Sequence, residues 1–585
     1  MPTLEWIGKD KVVNHHLEVP YRVLEEQYTY NADRSENMII RGDNLEALKA
    51  LLPRYERRVK CIYIDPPYNT GNEGWVYNDN VNDPRIKKWL GEVVGREGED
   101  LSRHDKWLCM MYPRLKLLQR LLAENGVIFI SIDDNELCYL KSICDEIFGA
   151  SCFVSTVSWQ RTYSTRNDSK GIVSEVEHIL VYSKRPGWNP NKLPRTYSMN
   201  AKYKNPDNDP LGDWRSDNAY AADANTHQGM VYAIQHPFTG KMLYPSNGSH
   251  WRYQQDEMLA IMCGWCSYKL HDLNDAHERA VICGVPDDEV RQGVKAIVLA
   301  ESLEISKEKA ATVLKRGQWP RFFFSKGGQG GIARKTYLGN VGGTPPTNLW
   351  QYADVGHTDE AAKILRAIFD GKAAFDTPKP PRLIERILQI AGDKDTLILD
   401  SFAGSGTTAH AVLNMNKSDG GHRKFILVEM MDYAESITAE RVKRVIDGYG
   451  EGKNAVESTG GDFTFYDLGP VLLLPNGNLN EDVGAAKIRE YVYFMETKAS
   501  IEPDKADEPY YMGVHLDSAY YFYYERDSLT TLSRDFLGSI KTKAGRYTIY
   551  ADQCTLSQME LERWHITFKK SHGTSRSCKE TALWS

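Results

Sequence analysis

Residues 396–415 read TLILDSFAGSGTTAHAVLNM, and this stretch decides the fold class. A short apolar strand leads into a loop of small residues and then into a helix. Gly404 and Gly406 let the backbone approach a ligand closely, and the helix start supplies unpaired N–H donors. The loop can bind a nucleotide or an adenosyl group, or serve only helix-strand packing. It is not the phosphate loop of nucleotide hydrolases, because Thr407 and Thr408 replace the Lys and Ser/Thr of that motif.

Strands and helices alternate on both sides of this stretch. Upstream, MIIR from Met38 precedes the helical pattern LEALKALLPRY, and the apolar strand VKCIYID follows. After a second helical pattern, DKWLCMMYPRLKLLQRLLAENG, comes the strand GVIFISID. Downstream, KFILVEM is one more buried strand. This alternation predicts an α/β fold whose parallel sheet is covered on both faces.

The alternation stops between Gly149 and Pro346, where aromatic-rich loops and one amphipathic helical stretch, DEVRQGVKAIVLAESLEISKEKAATVLKR, replace it. We interpret this part as an inserted domain. A Tyr-rich segment beyond Gly460 predicts a small α+β domain. The predicted segments are an N-terminal arm (1–36), the first half of the sheet domain (37–148), the inserted domain (149–346), the second half (347–459) and the C-terminal domain (460–585).

Composition narrows the class of protein. The 585 residues exceed what one hydrophobic core usually supports. We find no apolar run long enough for a membrane span and no signal peptide, so we expect a cytoplasmic protein. The ten cysteines are scattered, and CGWC has no second pair at zinc-site spacing, which favours reduced thiols and no metal.

The net charge is unevenly distributed along the chain. Ser151–Pro345 holds 24 Lys and Arg against 19 Asp and Glu, or +5, while the whole chain carries −7. The remainder therefore carries −12. Either this contrast is sampling variation, or the middle segment faces nucleic-acid phosphates.

Glu429 ends the strand KFILVEM, where an acidic side chain can bind both hydroxyls of a ribose. The alternative is an exposed carboxylate at a strand end. Together, the glycine loop and the carboxylate indicate a nucleotide or adenosyl ligand more strongly than either does alone.

The second signal is IDPPYNTG, a turn that directly follows a strand. Without context, DPPY is a tight turn. In this fold, however, ligands bind at the carboxyl ends of strands. The Asp65 carboxylate and the Pro66 carbonyl can each accept one N–H of the exocyclic amine of a nucleobase. Tyr68 can stack on the same base. A base within a duplex must flip out to reach such a pocket.

These motifs resemble those of amino-specific DNA methyltransferases of the permuted β class, in which the catalytic motif precedes the cofactor motif. More narrowly, the chain resembles the modification subunits of type III restriction systems. The resemblance rests on GDNLEALKAL, DPPYNTG, GVIFISIDDNE, FDGKAAFDTPKPPRLIERIL, LDSFAGSGTTAHAV, KFILVEM, SAYYFYYE, YADQCTLS and HITFKK. It implies a Rossmann-like methyltransferase sheet, circularly permuted, with an inserted target-recognition domain and a small α+β C-terminal domain.

The resemblance also implies roles for individual residues. The catalytic set would be Asp65, Pro66, Pro67 and Tyr68. S-adenosyl-L-methionine would be bound by Asp43, Asp65, Lys379, Pro380, Asp400, Phe402, Ala403, Gly404, Ser405, Gly406, Thr407 and Glu429. Many relatives have Gln where Glu429 stands. Asp before PPY is usual for adenine, and Ser for N4-cytosine enzymes.

The expected partners follow from the same resemblance: double-stranded DNA, a second copy of the chain and a separate helicase-nuclease restriction subunit. Candidate DNA contacts, each of which can equally be a solvated surface charge, are Arg161, Arg166, Arg321, Lys326, Arg334 and Lys335. Three alternatives remain open: an N4-cytosine enzyme, a methyltransferase without a nuclease partner, and an inactive DNA-specificity module.

The last residues, SHGTSRSCKETALWS, depart from the family, whose chains typically continue as Ile-Pro-Arg-Asp-Ile. Reading codons for that ending one base out of frame can give Ser-His-Gly-Thr. We therefore hypothesise a shifted reading frame, which a gene sequence lacking the alternative frame would exclude.

Overall fold

The computed structural model describes residues 3–70, 101–164, 172–474, 480–501, 507–526 and 528–571. None of the helices in these ranges combines the length and apolar composition of a membrane span. The chain forms two compact units: Met1–Asn191 together with Pro346–Ser585, and Lys192–Pro345. The smaller unit is therefore an insertion in the larger one.

A ten-stranded sheet organises the larger unit. In chain order its strands are β1 (Arg22–Tyr30), β2 (Met38–Arg41), β3 (Val59–Ile64), β4 (Leu122–Ile132), β5 (Phe153–Gln160), β6 (Val176–Ser183), β7 (Leu349–Trp350), β8 (Leu397–Asp400), β9 (Lys424–Glu429) and β10 (Phe463–Val471). Across the sheet the order is β1-β10-β2-β9-β8-β3-β4-β6-β5-β7.

The order of the strands interleaves the two halves of the chain. β2 and β3 are consecutive in the sequence, yet β9 and β8 lie between them. The six strands from β10 to β4 are all parallel, whereas β1 and β6 pair antiparallel with their neighbours. Because parallel strands share a carboxyl edge, the ends of β3, β8 and β9 meet there. The predicted α/β fold with a parallel sheet is confirmed.

The central strands are almost wholly apolar because helices cover both faces of the sheet. Each helix buries one of its faces. On the helix Pro381–Ala391, for example, Ile384, Ile387 and Leu388 are buried. The helices of this part are Lys9–Val12, His15–Glu18, Asn44–Tyr55, Leu101–Leu121, Leu137–Cys144, Tyr352–Val355, Thr358–Ile368, Pro381–Ala391, Thr407–Asp419 and Glu440–Asp447.

The boundaries of the units differ from the predicted segments. β6 pairs with β4 and β5 pairs with β6, so both strands belong to the large sheet and the insertion starts at Lys192 rather than at residue 149. β1, from the predicted arm, and β10, from the predicted C-terminal domain, form a pair at one side of the same sheet. Edge strands are added by distant segments, and no local sequence pattern marks which sheet they join.

The inserted unit, Lys192–Pro345, has its own core around Trp251, Trp265 and Phe324. Its strands are Trp214–Asn218, Tyr220–Ala222, Ile234–Gln235, Met242–Leu243, Ser249–Trp251, Tyr268–His271, Ala296–Leu299, Phe322–Phe324 and Ile332–Tyr337. Its helices are Tyr197–Asn200, Gln255–Met262, Ala276–Cys283, Leu303–Arg316 and Ser325–Gly328.

One predicted helical stretch in the insertion is divided in two. Only Leu303–Arg316 is helical, with Ser302 as its N-cap. The preceding Ala296–Leu299 is a strand that is buried along its whole length. A short run of wholly apolar residues suits a buried strand as well as a helix, so periodicity alone does not separate the two.

The C-terminal part of the larger unit is the predicted small α+β element. Its four-stranded sheet consists of Tyr511–His515, Ser518–Phe522, Arg546–Ala551 and Ile566–Lys570, in that order. The pair Thr531–Leu532 and Gln553–Cys554 forms a second small sheet. The helices of this C-terminal element are Ala485–Thr497, Arg534–Ser539 and Gln558–Arg563. The hypothesis of a shifted reading frame concerns residues 571–585. Of these, only Ser571 lies within the described ranges.

Candidate functional site

A cavity of about 350 Å³ opens at the carboxyl edge of β3, β8 and β9. Cavities of this size hold small ligands. It brings together two segments that lie more than 300 positions apart in the chain: the turn after β3 and the loop after β8. The predicted residues that line it are Asp65, Pro67, Lys379, Asp400, Phe402, Ala403, Gly404, Ser405, Thr407 and Glu429.

Asp400 holds the glycine loop from within. One carboxylate oxygen accepts from the Phe402 amide at 3.1 Å and the other from the Thr408 hydroxyl at 2.6 Å. Burial raises the pKa of Asp400 to about 7. The carboxylate therefore bridges the two ends of the loop and fixes its course.

The loop requires glycine at two places. Gly404 and Gly406 have φ of +50° and +80°, in the left-handed region that other residues rarely adopt. A Cβ on Gly404 would lie 3.1 Å from the Phe375 ring, and one on Gly406 3.1 Å from the Thr438 carbonyl oxygen. Both backbone conformation and space therefore favour glycine.

Glu429 faces the loop from the end of β9. It is 1% exposed, which excludes the alternative of an exposed strand-end carboxylate. Its oxygens accept from the amides of Gly404 at 2.8 Å and Met431 at 3.0 Å. Burial raises the pKa of Glu429 to about 7. The two amides fix the orientation of the carboxylate against the cavity.

The turn after β3 is fixed by the helix Leu101–Leu121. Trp107, which is fully buried, donates its indole N–H to the Pro67 carbonyl at 2.7 Å. The turn therefore presents Asp65 to the cavity from a rigid support.

An ionic network surrounds Asp65. The Lys379 ammonium lies 2.8 and 2.7 Å from the two Asp65 oxygens and 2.9 Å from the Tyr68 hydroxyl. The Tyr68 hydroxyl in turn lies 2.9 Å from an Asp65 oxygen and 3.1 Å from Glu177. Glu177 also lies 3.6 Å from Lys379 and accepts from Arg161 at 2.9 Å. The network thus pairs the negative charges of Asp65 and Glu177 with the positive charges of Lys379 and Arg161 around the Tyr68 hydroxyl.

This network sets the protonation of its members. Burial alone would lower the pKa of Lys379, but the carboxylates of Asp65 and Glu177 outweigh it and leave that pKa raised. Burial, with the same two carboxylates, raises the pKa of Tyr68 well above its usual value. Lys379 therefore stays an ammonium ion and Tyr68 a neutral phenol at neutral pH.

Five predicted residues are not among those lining the cavity. Pro66, Tyr68, Pro380 and Gly406 are chain neighbours of residues that do line it. Asp43 instead caps the helix Asn44–Tyr55, accepting from the amides of Leu45 and Glu46, and pairs with Arg114 at 3.3 Å. Asp43 therefore has a structural role as an N-cap, and its contact with the cofactor stays a prediction.

The candidate DNA contacts differ in how exposed they are. Arg321 and Lys326 are exposed. Arg334 pairs with Asp217 at 3.0 Å, and Arg161 belongs to the network around Asp65. Arg166 lies outside the described residues.

Lys335 does not reach the surface. Its side chain is 0% exposed, and its ammonium contacts Asp207 and Asp209. Arg334 and Lys335 are successive residues of one strand, so their side chains point to opposite faces. The prediction that Lys335 contacts DNA is at odds with this burial, and we do not retain it.

Several residues at the site were not predicted from the sequence. Glu177 lies on β6, which the predicted boundaries assign to the insertion, so no motif connects it with Asp65. Phe375 and Tyr433 contact each other edge to face at 5.6 Å between ring centroids, beside the loop. The cavity residues that were not predicted are Tyr63, Phe375, Thr377, Pro378, Thr408, Met431 and Tyr433. Phe375 and Thr377 belong to the quoted FDTPKP stretch, which was the available signal.

Comparison with known proteins identifies the family of the chain. A protein-family model described as DNA methylase, of the N6/N4 methyltransferase type, matches residues 59–440. The StyLTI Mod subunit of a type III restriction-modification enzyme of Salmonella typhimurium is 33% identical over 72% of this chain and 57% of its own. The EcoPI Mod subunit of Escherichia phage P1 is 30% identical over 73% of this chain and 63% of its own.

These matches cover most of the present chain, but the chain spans only about 60% of the length of the two curated relatives. Among solved structures, the cytosine-N4-specific PvuII DNA methyltransferase aligns with a TM-score of 0.32 and 13% identity, over 71% of this chain and 90% of its own. The family model spans both the turn after β3 and the loop after β8. The chain therefore belongs to the DNA methylase family.

Proposed function

We propose that this protein transfers a methyl group from S-adenosyl-L-methionine to the N6 amine of adenine in double-stranded DNA. The observation that carries the proposal is the shared cavity, in which Asp65 lies on one side and the glycine loop with Glu429 on the other. The family membership and the similarity to type III Mod subunits support the same reading.

The cavity suits this cofactor. Three acidic side chains line it, those of Asp65, Asp400 and Glu429, and Lys379 is the one basic side chain in the same lining. Such a lining favours a ligand with positive charge, and S-adenosyl-L-methionine supplies a methyl group on a positively charged sulfur. Glu429 would accept from the ribose hydroxyls, because its carboxylate lines the cavity at the end of β9.

Asp65 would orient the target amine. Its carboxylate and the Pro66 carbonyl would each accept one N–H, which directs the nitrogen lone pair towards the methyl group. Such placement acts through in-line positioning and through stabilisation of charge that develops on nitrogen. Lys379 contacts both Asp65 oxygens. When the amine binds, one of these oxygens has to accept from the amine in addition to Lys379 or in place of it.

Tyr68 would stack on the base. Its hydroxyl is held by Asp65, Glu177 and Lys379, so the ring is fixed before the base enters. Stacking is worth about 1–3 kcal/mol per base at comparable sites and offsets part of the few kcal/mol that flipping costs.

The inserted unit would recognise the DNA sequence. Arg321 and Lys326 are its exposed candidates for phosphate contact, and Arg334 is a further one if it exchanges Asp217 for DNA. The similarity to Mod subunits leads us to propose that the protein acts as the modification and recognition subunit of a type III system. A homodimer and a separate restriction subunit, a helicase-nuclease, belong to this proposal.

The test is methyl transfer to duplex DNA, followed by digestion and mass analysis of the nucleosides. We expect N6-methyl-2′-deoxyadenosine with the wild type and none with Asp65→Ala. Asp133→Ala is the matched control, because Asp133 follows the neighbouring strand β4 as Asp65 follows β3. N4-methylcytosine would move the assignment to the cytosine enzymes. DNA binding without any transfer by the wild type would favour an inactive specificity module.

A further inference from the structure

A buried cation lies beneath the glycine loop. Arg441, on the helix Glu440–Asp447, is 1% exposed and donates to the hydroxyl oxygens of Ser405 at 2.7 Å and Thr407 at 2.8 Å. In the part of the chain that the structure describes, no carboxylate pairs with it. Burial lowers the pKa of Arg441 to about 10, so it remains charged at neutral pH. A buried charge that no carboxylate compensates is energetically costly. This cost indicates that the charge has a function at the site.

Arg441 fixes the direction of the hydroxyl protons. Because both hydroxyl oxygens accept from the guanidinium, their protons must point elsewhere. The Thr407 proton goes to the Lys379 carbonyl at 3.2 Å. The Ser405 hydroxyl has no acceptor among the described residues, and Ser405 lines the cavity. Ser405 is therefore left as a hydrogen-bond donor to the ligand.

A neutral histidine completes the support of the cation. Burial, followed by the charge of Arg441, lowers the pKa of His410 well below its usual value. The unprotonated Nδ1 of His410 then accepts from the second guanidinium nitrogen at 3.2 Å. No negative charge compensates Arg441 from this side either.

The rest of the cavity is unfavourable to an anion. Asp65, Asp400 and Glu429 line it, and the Lys379 ammonium is committed to Asp65. S-adenosyl-L-methionine, however, carries a carboxylate at its aminoacyl end. Ser405, backed by Arg441 and by the start of the helix Thr407–Asp419, is the part of the lining that suits a carboxylate.

We propose that Arg441 is a positioning residue that makes the Ser405 hydroxyl donate to the aminoacyl carboxylate of the cofactor and supplies the opposing charge. This inference rests on the proposed function, since it assumes that the cavity binds S-adenosyl-L-methionine.

Two ligands that differ only at the aminoacyl end test the inference by calorimetric titration, without turnover. S-adenosylhomocysteine has the carboxylate, and 5′-methylthioadenosine lacks the whole aminoacyl group. For Ser405→Ala and Arg441→Met we expect affinity for S-adenosylhomocysteine to fall about tenfold, as for the loss of a hydrogen bond to a charged group. Affinity for methylthioadenosine should remain within about threefold.

Ser405→Ala removes one oxygen and keeps the test open if Arg441→Met does not fold. Arg444→Met is the matched control from the same helix, because Arg444 pairs with Glu440 and Asp370 and not with the loop. In a Ser405→Ala background, Arg441→Met should lower the affinity for S-adenosylhomocysteine by less than it does in the wild type, because only the contribution of the opposing charge remains to be lost.

Three results would overturn the inference. An equal loss for both ligands would mean that Arg441 only supports the loop, and unchanged affinity for S-adenosylhomocysteine would exclude any role towards the carboxylate. Failure of the wild type to bind either ligand would instead contradict the proposed function, and this inference with it.

Discussion

The two ends of the cavity are held by different forces. At the cofactor end, Glu429 and Asp400 are oriented by amide and hydroxyl donors from the loop itself. At the catalytic end, Asp65 is held by the Lys379 ammonium, which it shares with Glu177. The first arrangement can receive a ligand unchanged. The second must exchange partners, because the amine competes with Lys379 for Asp65.

The largest effect that separates the two ends is expected from Asp65→Asn. The amide keeps the size of the side chain but loses the charge that the developing positive charge on the amine requires. We expect kcat to fall by about 10³-fold, while the affinity for S-adenosylhomocysteine changes less than about threefold. Single-turnover kinetics and calorimetry measure the two quantities. A parallel loss of both would show that the two ends are not separate.

Gly404→Ala should produce the opposite pattern. Its φ of +50° costs about 1–2 kcal/mol for a residue with a Cβ, and the Cβ would press on the Phe375 ring at 3.1 Å. We expect the affinity for S-adenosylhomocysteine to fall about tenfold, with kcat at saturating cofactor nearly unchanged. Gly371→Ala, at a positive φ with open space around it, is the control for backbone strain alone. Loss of kcat at saturation would contradict the division.

Glu177→Gln tests the sharing of Lys379. Without the second carboxylate, Lys379 pairs with Asp65 alone and competes more strongly with the amine. We expect kcat to fall about tenfold and cofactor affinity to stay constant, since removal of one partner of a close charge pair shifts energies by about 1–2 kcal/mol. Glu175→Gln removes the same charge two positions earlier and should leave kcat unchanged. In a Lys379→Met background the Glu177 substitution should have little effect, and an additive loss there would refute the sharing.

The last prediction concerns the stability of the cofactor end as a function of pH. Burial raises the pKa of Glu429 to about 7 from an ordinary 4.5, so the folded protein binds this proton more tightly than the unfolded chain. Stability from this group is therefore present below about pH 4.5 and is lost as the pH rises to 7. Relative to Glu429→Gln, the wild type should lose on the order of 1–3 kcal/mol of unfolding free energy between pH 5 and 8. Urea denaturation at several pH values measures the difference, and parallel pH curves for both proteins would contradict it.

The sequence predicted the elements of the site better than their surroundings. The DPPY turn and the FAGSG loop each follow an apolar strand, and parallel strands place such ends at one edge. Glu177 was out of reach, because its strand pairs antiparallel with β4 and carries no motif. Lys335 shows the reverse error: a basic pair in a strand looks like a surface patch, yet strand geometry buries one of its members.

A crystal structure of the protein with S-adenosylhomocysteine would show whether the turn after β3 and the loop after β8 serve one ligand. We expect the ribose hydroxyls to contact Glu429 and the sulfur to face the turn that carries Asp65. A ligand bound away from Glu429, or a sulfur directed away from Asp65, would contradict this expectation.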